Sequence, residues 1–327
     1  HLSLVKKPSL DDSSRGASFE LVALNELGTQ EQRRVEKAIL QVSPNAAIIG
    51  VQVTARSWDL RPVIVAQKES TPTVVRFLGP EVTLSPALSH RVEAVLRQLA
   101  TSTELHAYCE LLEWGLFEGQ LWYRRPVVER TLAEKLLQRP YEDLSLALDL
   151  AKQIITAIEV LDRAGLVHGH ITPENIAIRD DGTVSLLDVG ISSAVAQACS
   201  QLGLESFPQG LDPAGFAPEF LSSDKPAITL DLYGLGMTLK EVFRPFYSRK
   251  QQGNERGNGL RAILDAVLAL TDNNQVRRPT LGQLRTLLWG RDPVARQGGT
   301  TAPVRASSVK IKRPSQNLKP GEVQQFL

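Results

Sequence analysis

Residues 167–190 read VHGHITPENIAIRDDGTVSLLDVG and place His168, His170, Asn175 and Asp188 in one short stretch. A neutral imidazole such as that of His170 can accept a proton. Asp188 opens an Asp-Val-Gly turn, where a carboxylate can satisfy backbone donors. Other charged residues sit in marked contexts: Arg76 in TVVR, Glu93 on a helical pattern, Arg124 and Arg125 in LWYRRPVVERTL, Glu219 in Ala-Pro-Glu, Asp231 in LDLYGLGMTL and Arg278 in RRPTLGQL.

The ordered set H-x-x-x-x-P-E-N, D-V-G, A-P-E, LDLYGLG and RRPT resembles the protein kinase superfamily of Ser/Thr type, over about residues 51–289. The resemblance implies an α+β, two-lobed kinase-like fold with a β-rich small lobe and a helical large lobe. It also implies structural roles. His168 packs in the core. Asp231 accepts bonds from the catalytic-loop backbone. Glu219 pairs with Arg278, a contact costly to break from one side.

At the chemical positions the chain departs from the family. Phosphoryl transfer uses a glycine loop, a strand lysine, two metal ligands and a base. His168-Gly169-His170-Ile171 stands where H-R-D-L belongs, so His170 replaces the catalytic aspartate. Thr172 replaces the catalytic-loop lysine, and Gly169 replaces the arginine that grips a phosphorylated activation loop. Ser192, Ser193, Ser200 and Ser206 nevertheless lie in that segment. Arg76 stands at the strand-lysine position, with Glu93 as its expected partner; a wider planar guanidinium is not a conservative replacement there. No glycine occurs from Val51 through Leu78, where backbone N–H groups should approach phosphate closely, and Trp58 and Pro62 cannot supply that geometry. Arg124 and Arg125 fall near an adenine slot that favours apolar walls, and Pro126 has no N–H to donate. Asn175 and Asp188 remain as the family's Mg²⁺ ligands.

With base, lysine and glycine loop altered together, the resemblance implies a pseudokinase and no enzyme activity: a scaffold or allosteric domain that binds protein partners and needs no cofactor. The alternative is a kinase-fold enzyme that retains ATP and Mg²⁺ at Asn175 and Asp188 and transfers phosphate or nucleotide unconventionally. A third reading is a sensor whose old cleft holds another ligand.

The elements that must position these groups follow from periodicity. Residues 18–24, 46–54, the pair 63–69 and 73–79, and two strands within 108–128 read as β. Helical spacing covers 29–42, 84–100, 132–138 and 143–164, then 218–222, 230–246, 259–270 and 281–289. Residues 191–216 read as irregular, and 248–258 as a loop. The expected organisation is a flexible leader (1–16), a small lobe with a strand–helix extension (17–128), a large lobe (129–290) and a tail (291–327).

The 327 residues are 42% hydrophobic, enough for a large core. The net charge of +1, from 37 basic and 36 acidic residues, gives no reason to expect nucleic acid or an acidic membrane. Cys109 and Cys199 form no metal or disulfide pattern, no apolar run reaches membrane-span length, and a cytoplasmic setting is expected. The tail carries seven Lys/Arg against two acidic residues, with Pro293, Pro303, Pro314 and Pro320. It reads as extended, either simply solvated or docking on a partner.

Overall fold

In a computed structural model, the described residues are 20–53, 63–66, 72–78, 85–128, 130–179, 181–201, 215–222, 226–251 and 255–289. The expected leader, the tail and residues 54–62, which include Trp58, lie outside them.

The first part of the chain builds a six-stranded antiparallel sheet: β1 (Glu20–Val22), β2 (Ala47–Val53), β3 (Val63–Ala66), β4 (Thr73–Phe77), β5 (Glu113–Phe117) and β6 (Gln120–Pro126). Its order is β1-β2-β3-β4-β6-β5. Helix α1 (Thr29–Val42) packs Val35, Ala38 and Ile39 against Val51, Val75, Phe77 and Trp122 on one face of the sheet. The other face looks toward α2 (Pro86–Thr101), whose Leu88, Val92, Leu96 and Leu99 join the main core. A short helix, α3 (Thr103–His106), follows.

Strand alternation decides which charged groups enter the molecule. On β6, Leu121 and Tyr123 join the main core, while Trp122 packs with α1. Arg125 therefore follows Tyr123 inward, whereas Arg124 shares the α1 side with Trp122. There Arg124 donates to the Val42 carbonyl and to Ser43 Oγ and pairs with Glu113. Arg76 stands opposite Tyr123 in the β4–β6 ladder.

The rest is mainly helical: α4 (Leu132–Gln138), α5 (Leu144–Arg163), α6 (Ile191–Gln201), α7 (Ile228–Val242), α8 (Glu255–Leu270) and α9 (Leu281–Trp289). Thr131 and Glu134 form a capping box at the start of α4, and Asp143 caps α5. The buried face of α5, from Ala147 through Leu161, is the centre of this part of the core. A small hairpin, β7 (Ile176–Ile178) and β8 (Val184–Leu186), carries residues 175–188 across it.

Two expectations fail locally. Residues 191–201 are a helix, not irregular chain. ISSAVAQACSQ has small and apolar side chains at enough positions to bury Ile191, Ala194, Val195, Ala198 and Cys199 together, and α6 docks on α2 through Arg91 and Gln197. Residues 248–251 continue a 3₁₀ segment and residues 255–258 belong to α8; the rest of the expected loop lies outside the described residues.

Candidate functional site

Asp188 is the centre of the site. Its backbone has φ 59°, a left-handed conformation that aspartate tolerates better than most residues. Gly190, two residues on, has φ 70° and closes the turn by donating its N–H to the His168 carbonyl at 3.0 Å. The turn aims the Asp188 carboxylate at the sheet. Arg76 binds its Oδ2, and the Tyr123 hydroxyl donates to Oδ1 at 2.5 Å. Arg125 Nε lies 3.8 Å from Oδ1. Burial alone would raise this carboxyl, but the two guanidiniums and the hydroxyl outweigh it and hold it at about 2. Tyr123 is pushed up, by burial first, and stays a neutral donor.

The sequence analysis paired Arg76 with Glu93. The structure separates them: Glu93 binds Arg97 one turn along α2, on a partly exposed face, while Arg76 reaches across to Asp188. Arg124, one of two candidates for the cleft, also turns away, for the alternation already described. Tyr123 was missed. The period-2 pattern of LWYRRP holds the signal, since Tyr123 and Arg125 share a face two residues apart.

His170 is buried and stacks on Phe216 with ring centroids 4.2 Å apart and an 18° interplanar angle; Phe216 stacks in turn on Phe220 at 4.5 Å. The Asn175 amide contacts His170 Nδ1 at 3.1 Å and donates to the His170 carbonyl at 3.0 Å. Gly215 permits the packing: a Cβ there would lie 2.8 Å from His170 Nε2 and 2.7 Å from the Thr172 methyl. Thr172 is thus buried against the same segment. Gly169 has φ 77°, and a Cβ on it would meet Ser193 Oγ at 2.6 Å, so α6 approaches where a side chain would otherwise stand.

Beneath the loop, Asp231 accepts from the N–H groups of His168 (2.9 Å) and Gly169 (2.6 Å). Burial pushes its carboxyl up to about 7 against the pull of those donors. Burial, with the neighbouring His170, lowers His168 to about 4, so its ring is neutral at pH 7. His168 Nδ1 accepts the His170 N–H at 3.3 Å. Farther out, Arg278 donates to both oxygens of Glu219 at 2.5 and 2.8 Å and to the carbonyls of Thr229 and Asp272.

Comparison with known proteins agrees with this geometry. Residues 121–302 match the family model of the protein kinase domain. Curated relatives include the serine/threonine-protein kinase PknH of Mycobacterium bovis, 27% identical over 170 residues, covering 51% of this chain and 28% of the relative. The hormonally up-regulated neu tumor-associated kinase of Mus musculus is 31% identical over 177 residues, covering 48% and 24%. The chain therefore spans only about a quarter of the length of these relatives. The solved kinase domain of Mycobacterium tuberculosis PknI superposes with a TM-score of 0.52 at 18% identity, covering 75% of this chain and 95% of that one. The two-lobed α+β kinase fold follows. These findings also correct the expectation of a non-enzyme: the relatives are named kinases, which points to an enzyme.

In this arrangement the Asp188 carboxylate is engaged by protein groups, which opposes a metal ion on it. The carboxylate that would take the metal is held by Arg76 and Tyr123, with Arg125 beside it, while the Asn175 contacts to His170 use its amide nitrogen and not its oxygen. A divalent cation would have to share Asp188 with two guanidiniums. Among the described residues no cluster of three or more His, Cys, Asp or Glu is placed to hold a metal, and no helix is long and apolar enough to cross a membrane.

Proposed function

Because this chain belongs to the protein kinase domain family, we propose that it is a partner-regulated kinase-fold domain: it binds a protein, and its nucleotide-handling positions are latched by its own side chains. The observation that carries this reading is the partly buried Arg76–Asp188 pair, which joins the sheet to the Asp-Val-Gly turn. A pair that spans two layers ties their relative position to the state of the site. A partner that shifts the sheet against the turn would release Asp188, and a partner that favours the present arrangement would keep it held. The intact Asp231 and Glu219–Arg278 contacts support a large lobe rigid enough to present such a surface.

Thermal unfolding with and without ATP and Mg²⁺ tests the latch. The expected result is no stabilisation of the chain alone at millimolar nucleotide, and clear stabilisation once Arg76 is replaced by methionine. A strong upward shift for the unaltered chain would overturn the proposal.

A second reading is a kinase-fold enzyme that moves phosphate or nucleotide by a rearranged route. The presence of both Asn175 and Asp188 favours it, together with the names of the relatives. Intact-mass measurement after incubation with ATP and Mg²⁺ or Mn²⁺ decides it: added mass that disappears in Asp188→Asn supports this reading, and unchanged mass on the chain and on generic protein substrates removes it.

A further inference from the structure

Strand β5 ends the sheet and pairs with β6 on one side. The ladder fixes which of its backbone groups face outward. The Leu121 carbonyl on β6 accepts the N–H of Leu78, just past β4, so Leu121 is turned away from β5. Leu116, opposite Leu121 on β5, therefore points its N–H and C=O away from β6. Bonding groups alternate along a strand, so Trp114 does the same and Gly115 does not. Arg124 agrees with this phase, since its carbonyl faces β5 and accepts the Leu112 N–H. Among the described residues, the outward groups of Trp114 and Leu116 have no hydrogen-bond partner.

This edge lacks the protection that keeps sheets apart. EWGLF contains no lysine or proline, and its ladder with β6 runs without a register shift. Its one charge, Glu113, is drawn to Arg124 at 3.2 Å. Leu116 is 60% exposed and Leu112 48%.

The strand is complementary to itself. Two antiparallel copies of β5 centred on Gly115 place Trp114 opposite Leu116 of the other copy, and each outward N–H then meets an outward C=O. The neighbouring registers fall short. Centring on Trp114 would enlist Leu112, whose N–H already bonds to Arg124. Centring on Leu116 would enlist Glu118, which leaves the strand with φ 49° in the turn. In the Gly115 register the exposed Leu116 lies against Trp114 of the other copy, because facing residues share a side of the sheet. No like charges oppose each other, since Glu113 falls across from Phe117. The crossing point is glycine, where two side chains would otherwise stand at their closest.

We propose that the chain forms a twofold dimer through β5, in the register centred on Gly115, so that the sheet continues from one copy into the other. The seam is short, and the dimer is expected to be weak, in the micromolar to submillimolar range. The proposal goes beyond the partner-regulated reading and does not depend on it, because β5 makes these contacts at the sheet edge and not at Asp188.

Sedimentation equilibrium across micromolar to submillimolar concentrations tests this, with amide hydrogen exchange read by NMR on the same samples. The mass is expected to rise from one copy toward two. The Trp114 and Leu116 amides are expected to gain protection with concentration, while that of Gly115, already turned to β6, changes little. Leu116→Lys puts a charge on the seam and is expected to weaken dimerisation at least about tenfold. Leu137→Lys alters a leucine 64% exposed on α4; it controls for nonspecific sticking and is expected to leave dimerisation unchanged. Should Leu116→Lys fail to fold, the amide protection pattern and the Leu137→Lys control decide the matter. The proposal is overturned if the mass stays at one copy throughout, which would leave the edge to a different partner, or if it climbs past two. It is equally overturned if the Trp114 and Leu116 amides gain no protection, if Leu116→Lys dimerises like the unaltered chain, or if Leu137→Lys weakens dimerisation as much.

Discussion

Arg76 on β4 and Asp188 at the head of the Asp-Val-Gly turn form a partly buried ion pair, with side chains 18% and 7% exposed. The two lie 112 positions apart in the chain. Tyr123, directly across from Arg76 in the ladder, completes the contact from the same face of the sheet. The pair therefore depends on the register of β4 with β6 as well as on the turn.

Replacing Arg76 by methionine should destabilise the fold by about 3 kcal/mol, because Asp188 keeps its burial and loses its closest cation. Chemical denaturation measures this. A double-mutant cycle with Asp188→Asn should show a coupling of about 2 kcal/mol, the signature of a direct contact. A coupling near zero would mean that the two residues act independently.

Arg278→Met should cost about 3–5 kcal/mol, since it strips both Glu219 oxygens and two carbonyls of their donor. Arg278→Lys should recover only part of the loss, because an ammonium cannot reproduce the two-pronged contact. Equal stability of the lysine variant and the unaltered chain would show that the fork geometry is unimportant.

Gly169→Ala should lose about 2–3 kcal/mol through two separable effects: left-handed backbone strain of roughly 1–2 kcal/mol and the contact with Ser193. Combining it with Ser193→Gly should restore the contact part, measured against Ser193→Gly alone, and leave the strain. If the second change restores nothing, α6 does not press on the loop in solution.

The buried ring of His168 makes a pH prediction. Its folded value is about 4 against 6.5 for the free side chain, so between these values the unfolded chain binds one more proton than the folded one. The neutral ring's contribution is complete above about pH 6.5 and falls as the pH drops toward 4. His168→Asn keeps an acceptor for the His170 N–H but cannot titrate. The stability advantage of the unaltered chain over this variant should therefore grow by on the order of 3 kcal/mol from pH 4 to 6.5, as read from urea midpoints. A pH-independent difference would show that the ring is not buried neutral.

Local order and kinship were legible in the residues themselves. The helix at 29–42 shows its apolar face in Val35, Ala38, Ile39 and Val42, and the spacing of the H-x-x-x-x-P-E-N and D-V-G segments marks a loop and a turn. These patterns follow the 3.6- and 2-residue periods of the backbone, which neighbouring residues express without distant help. The partner of Arg76, the separate destinations of Arg124 and Arg125, the stacking of His170 on Phe216 and the docking of 191–201 as a helix belong to the tertiary structure. Each depends on strand register or on packing between segments far apart in the chain. A long charged side chain can satisfy itself in several places, and only the assembled sheet and turn select which carboxylate it meets.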